Sequence, residues 1–162
     1  MTAPPFRSVR PRWSADRSRR LQTPPRGRPL MSTYTAEIDV RFRDIDAMGH
    51  VNNAVYATYL EQARTEYFRD VLDADLSRVS TVLASLSLDF RRPVELTDGT
   101  VAVDVDVAEL GRSSVTMTHE LRAGDAVVAE AEATLVSLDP DSGEPAPIPP
   151  AFREGMTAYH DL

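Results

Sequence analysis

The sequence predicts an α+β fold: one antiparallel five-stranded sheet packed against a single long helix, in the chain order β-α-β-β-β-β. Three observations carry this. Residues 36–42 alternate apolar with charged side chains, residues 56–71 repeat apolar ones at helical spacing, and four further alternating runs follow with only short turns between them. A sheet and a helix that each have one apolar face bury both by lying against each other.

The elements follow in order. Ala36, Ile38, Val40 and Phe42 alternate with Glu37, Asp39, Arg41 and Arg43, the period of a strand with one wet face. After a polar loop, Tyr56, Tyr59, Leu60, Ala63, Tyr67 and Val71 mark a helix of about five turns that fades near Leu72 to Leu76. Asn52 or Asn53 is its natural N-cap, because the amide oxygen accepts from backbone N–H groups in the first turn. Val82, Ala84, Leu86, Leu88 and Phe90 share one face of the second strand, which Arg91-Arg92-Pro93 ends. Val101, Val103, Val105 and Val107 line the third. The turn at Leu110-Gly111-Arg112 leads to Val115, Met117, His119 and Leu121, with His119 expected as a hydrogen-bonded core histidine, and Gly124-Asp125 marks the next hairpin. In the last strand Ala129, Ala131, Ala133 and Leu135 oppose Glu130, Glu132 and Thr134, and the small alanines leave room for a close neighbour. Residues 139–150, rich in proline and acid, read as an exposed tail with at most a short helix around 152–158; His160 in that tail is expected to do nothing specific.

Composition bounds the rest. A chain of 162 residues with 42% hydrophobic content supports one domain, here divided as a leader at 1–30, a folded body at 31–138 and a tail at 139–162. The lack of cysteine excludes a disulfide framework, a thiolate nucleophile and a cysteine-ligated metal, and makes the cytoplasm the simplest home. No apolar run approaches the roughly 18 residues that cross a bilayer, so no membrane partner is expected. Residues 1–30 hold eight arginines against Asp16, a balance of +7, and six prolines; the other ten arginines face twenty-four acids, a balance of −14. The leader is expected to be disordered, and Met31, just before the first strand, is the expected start of the functional chain. The body contains no lysine. Its acidity suits either a salt-rich cytoplasm, as in a halophile, or GC-rich codon usage, and argues against nucleic acid as a partner. The sequence also lacks G-x-x-x-x-G-K-[ST], G-x-S-x-G and H-E-x-x-H.

The chemistry concentrates between Val40 and Asn53, VRFRDIDAMGHVNN, where a strand gives way to the helix. Carboxylates, an imidazole, a glycine and two asparagines gather where helix N–H groups are unsatisfied, which suits a reaction that develops an oxyanion. Gly49 allows a tight turn there. The segment from Arg41 to Tyr56, RFRDIDAMGHVNNAVY, followed by YLEQARTEYF, resembles the hotdog-fold thioesterases of the 4-hydroxybenzoyl-CoA thioesterase type, and its H-V-N-N is similar to that of plant acyl-carrier-protein thioesterases. The resemblance covers about residues 34–138.

This resemblance implies a hotdog fold, a sheet wrapped around a central helix, in homodimers joined sheet edge to sheet edge or in homotetramers, with active sites at the dimer interface. It implies an acyl-CoA thioesterase that needs no cofactor, CoA being part of the substrate, and no metal. Asp46 matches the catalytic carboxylate, which either attacks the thioester carbon or takes a proton from water; Asp44, two residues earlier, reads as structural. Asn53 N–H is the implied oxyanion donor. His50 either polarises the carbonyl or is held by backbone, and Glu61 either assists as a second carboxylate or pairs with Arg64. Arg112, Ser113 and Ser114 match the position that meets the nucleotide end of CoA, with Arg91 and Arg92 adding positive charge. Met48 stands where the plant enzymes carry asparagine, so their full polar constellation is not reproduced here, which speaks against acyl-carrier-protein specificity without deciding the carrier. Two alternatives stay open: a non-catalytic module that binds acyl-CoA, and an (R)-specific enoyl-CoA hydratase, whose D-x-N-P-x-H pattern this sequence lacks.

Overall fold

The computed structural model describes residues 33–75 and 79–162; the arginine-rich leader and the expected start at Met31 lie outside the described residues. Strand β1 (Tyr34–Asp39) is followed by a 3-10 turn at Phe42–Asp44 and the long helix α1 (Asn53–Leu72). Strands β2 (Thr81–Phe90), β3 (Thr100–Leu110), β4 (Ser114–Ala123) and β5 (Ala126–Ser137) come next, and helix α2 (Pro150–His160) closes the chain. The strands form one antiparallel sheet in the order β1-β3-β4-β5-β2, so β1 and β2 are its edges.

The predicted periodicities place the core. Val101, Val103, Val105, Met117, Leu121, Ala129 and Ala133 are buried on the inner face of the sheet, and Tyr56, Tyr59, Leu60, Ala63 and Tyr67 are buried on the facing side of α1. Valine's branched side chain suits a pleated surface, and α1 packs chiefly on the β1 and β3 side of the sheet. Asn52 is the N-cap, its side-chain oxygen accepting from the Ala54 N–H at 2.9 Å; Asp73 in the left-handed conformation ends the helix.

Four expectations are corrected. Phe42 does not continue the inner face of β1: the strand ends at Asp39, the 3-10 turn rotates the chain, and the ring is 84% exposed. In β2 a bulge between Leu83 and Ser85 breaks the alternation, so Leu83, opposite Leu135, joins Leu86, Leu88 and Phe90 in place of Val82 and Ala84. The C-terminal segment is not a free tail. Its Ile148, Met156 and His160 are buried, His160 Nε2 lies 2.9 Å from the Tyr67 hydroxyl and Nδ1 3.4 Å from Asp106, and α2 packs on α1. Gly155 lies close against α1, where a Cβ would stand 2.8 Å from a Leu72 methyl and oblige that side chain to shift. Finally, His119 is buried as expected, but its ring has only a weak contact with the Ala131 backbone, and neither nitrogen makes a well-formed hydrogen bond among the described residues.

Candidate active site

The link from β1 to α1 is a loop locked by its own backbone. Asp46 N–H donates to the His50 carbonyl at 2.8 Å and Gly49 N–H to the Asp46 carbonyl at 3.0 Å, while Val51 N–H reaches the Val94 carbonyl at 2.8 Å. Gly49 has φ +84°, a conformation that side-chained residues rarely adopt, and open space surrounds the position where a Cβ would stand. Backbone geometry therefore explains the glycine, and crowding does not.

Two features converge on this loop. Asp46 is half-buried, and its Oδ1 accepts from the Met48 N–H at 2.8 Å and the His50 N–H at 3.4 Å, which orients the carboxylate. The backbone donors of the first helical turn are mostly engaged: Asn52 N–H on the Asp44 carbonyl, Ala54 N–H on the Asn52 side chain and Val55 N–H on the Asn52 carbonyl. Asn53 N–H has no acceptor within hydrogen-bond distance among the described residues. It sits at the positive end of a 20-residue helix.

Asp46, His50 and Asn53 line one groove of about 360 Å³. Tyr56 and Phe90 form its aromatic wall, their rings crossing edge to face with centroids 5.0 Å apart, and Met48, 78% exposed, stands at its mouth. Sequence reading assigned Tyr56 and Phe90 to the core; the signal for Tyr56 was its place one turn beyond the N-cap, directly above the loop.

The remaining predicted residues are dispersed. Arg91 and Arg92 line the groove, but both are engaged, Arg91 in a close ion pair with Glu130 and Arg92 with Asp98 at 3.5 Å. Glu61 is exposed on α1, is not among the groove-lining residues and attracts the buried Arg64 guanidinium by its charge, without a close ion pair between them. Arg112, Ser113 and Ser114 occupy the β3–β4 turn at the far end of the sheet. There a Cβ on Gly111 would fall 2.6 Å from the Ser114 Oγ and 3.3 Å from its carbonyl oxygen, so the serine side chain would have to turn aside. Ser113 borders a separate pocket of about 140 Å³ floored by Phe68, Phe152 and Met156. Among the described residues no cluster of three or more His, Asp and Glu side chains would hold a metal ion.

A family model described as the thioesterase-like superfamily matches residues 40–156. The chain belongs to the thioesterase-like superfamily. It is 28% identical over 119 residues to the acyl-CoA thioester hydrolase YbgC of Escherichia coli, covering 69% of this chain and 87% of that one. With the acyl-CoA thioesterase YbgC of Haemophilus influenzae it shares 24% over 138 residues, 82% of this chain and 98% of the relative. A thioesterase from Thermus thermophilus, solved in complex with coenzyme A and Zn, superposes with a TM-score of 0.72 at 39% identity, over 82% of this chain and 97% of that one. The five-stranded antiparallel sheet on a long helix is accordingly the hotdog fold of thioesterases. The superfamily match runs through most of α2.

Proposed function

We propose that this protein hydrolyses acyl-CoA thioesters, with the carbonyl carbon bound in the groove at the start of α1. The observation that carries the reading is the pairing, in one groove, of the oriented Asp46 carboxylate with the unengaged Asn53 N–H. The thioester oxygen would accept from Asn53 N–H, where the helix dipole favours the negative charge that develops as the carbon becomes tetrahedral. Asp46 then acts in one of two ways. As a nucleophile it forms an acyl anhydride while the C–S bond breaks and CoA leaves as thiolate, and water later cleaves the anhydride. As a base it takes a proton from the attacking water, and collapse of the tetrahedral intermediate expels the same thiolate. His50, half-buried in the same groove, is placed to contact the acyl carbonyl or the water. The chain supplies these groups itself and the chemistry calls on no cofactor.

CoA recognition points to a second copy of the chain. β2 pairs Phe90 with Ala129 at the groove end and Thr81 with Ser137 at the end that carries the β3–β4 turn. Nine steps along a strand separate these ends by about 30 Å, so one chain does not bring Arg112 to its own Asp46. An antiparallel pairing of two β2 edges reverses this, laying the Thr81 end of a partner beside the groove. Arg112, exposed and without an ion pair among the described residues, would then meet the CoA phosphates with Ser113 and Ser114. A cytoplasmic homodimer or homotetramer fits this reading.

The test is thiol release from a panel running from acetyl-CoA to palmitoyl-CoA and including benzoyl-CoA, for the wild type and Asp46→Ala. Asp46→Ala is expected to lose about 10³-fold or more in kcat, the scale of a lost nucleophile or base. No thiol from any acyl-CoA despite measurable binding would identify a non-catalytic module, and water addition to an enoyl-CoA a hydratase. Full activity in Asp46→Ala would overturn the mechanism.

A further inference from the structure

Asp44 is a carboxylate in an unusual place: 7% exposed, two residues from Asp46, in a loop that lies over the groove. Its bonds all run to the elements that frame the proposed site. Oδ2 accepts from the Tyr59 hydroxyl at 2.8 Å and from the Arg41 N–H at 2.9 Å, and its carbonyl accepts from the Asn52 N–H at 2.8 Å. Tyr59 is itself buried in the second turn of α1, and burial, then the contact with Asp44, raises its hydroxyl pKa, so it remains a donor. A single buried residue thus joins the end of β1, the cap of α1 and the body of α1.

The connectivity sets a distance. Asp46 follows Asp44 by two residues, and Asn53 follows by one residue the Asn52 N–H that Asp44 holds. Attacking group and oxyanion donor therefore hang from opposite sides of one anchor, and the anchor is fixed to the rigid helix through Tyr59. We propose that Asp44 and Tyr59 form a positioning pair that sets the separation of Asp46 from the Asn53 N–H, and so acts on kcat without touching substrate. This rests on the thioesterase reading of Asp46 and Asn53. A structural role would spend the bond on stability alone; a positioning role spends it on the geometry of the bound carbonyl, where about an ångström of misplacement costs up to ~100-fold in rate.

The experiment compares Tyr59→Phe with Tyr67→Phe, using whichever acyl-CoA of the panel the wild type turns over fastest. Both changes delete one buried hydroxyl bond from α1, but the Tyr67 hydroxyl meets His160 far from the loop. Tyr59→Phe is expected to lower kcat by about tenfold or more, with KM changed by no more than about twofold. Tyr67→Phe, at a similar loss of melting temperature, is expected to keep the wild-type kcat. Asp44→Asn, which retains an acceptor oxygen for Tyr59 and Arg41, is expected to hold more of kcat than Asp44→Ala. Wild-type kcat in Tyr59→Phe, or equal falls in the two tyrosine variants, would overturn the pair while leaving Asp46 in place. Retained activity in Asp46→Ala, or no turnover of any acyl-CoA, would instead remove the reading beneath it, and the pair with it.

Discussion

His119 faces α1 from the middle of the sheet, 4% exposed, and shares that space with the buried guanidinium of Arg64. Burial, and after it the neighbouring positive charge, pushes its imidazole down to about 3, so the ring is neutral throughout the range in which most proteins are handled. Apart from a weak contact of the ring with the Ala131 backbone, the two ring nitrogens and Arg64 Nη1 make no well-formed hydrogen bond among the described residues, so a polar pair sits where apolar packing surrounds it. The consequence for stability has a definite sign. An unfolded chain takes up a proton on this histidine near pH 6.5 while the folded chain does not until about pH 3, so the unfolded state gains protons as pH falls through that window. The wild type should therefore lose about 2 kcal/mol of unfolding free energy between pH 7 and pH 5 from this residue. His119→Leu, close in size, should remove that share of the loss and leave the protein more stable at pH 5 than the wild type. Urea unfolding at the two pH values checks it, and an unchanged slope against pH would refute it.

At the scale of the element, the start of α1 joins stability to the site. Asn52→Ala removes the side-chain acceptor of the Ala54 N–H, and the expected cost is about 1 kcal/mol, seen as a fall of about 3 °C in melting temperature. Because the freed N–H lies next to the Asn53 N–H, thiol-release kcat should fall with it. What the sequence made legible here was periodic: β1, α1, β3, β4 and β5 each bury the face that alternation or helical spacing named. Loop chemistry was legible as well, since an asparagine before an apolar helical repeat identifies a cap. What stayed hidden depended on partners distant in the chain. Phe42 continues the alternation of β1 in composition but turns outward, because Asp44 binds the Arg41 N–H and closes a 3-10 turn. The bulge at β2 appears only as a register against β5. Helix α2 is only eleven residues long and contains Gly155, both of which weaken its local signal although Pro150 suits its first position; it forms because Met156 and His160 find burial. That Asp46, His50 and Asn53 share one groove was legible from one contiguous motif. The Asp44–Tyr59 bond, which spans fifteen residues and two elements, was not.

At the scale of the whole molecule, β2 is the unfinished part. It is a ten-residue edge strand with Val82, Leu83 and Phe90 each nearly half exposed, and a long apolar edge is an aggregation hazard unless something pairs with it. β1, the other edge, is shorter, with six residues, and exposes Thr35, Glu37 and Asp39. If the chain self-associates, this asymmetry favours β2 as the paired edge, and so does the opposite placement along the sheet of Asp46 and Arg112 in the roles proposed for them. Replacing Val82 and Ala84 by arginine puts four like charges at a two-fold pairing of β2 edges, while the inner face keeps Leu83, Leu86 and Leu88. The double variant is expected to sediment as a single chain with native circular dichroism, to lose about tenfold or more in kcat/KM for acyl-CoA, and to lose it mainly through KM, because the carboxylate and the oxyanion donor belong to the same chain. The wild type should sediment as two or four chains and lose the same affinity on dilution below its association constant. A monomeric variant with wild-type KM would show that each chain recognises CoA unaided, and would detach the β3–β4 turn from the site.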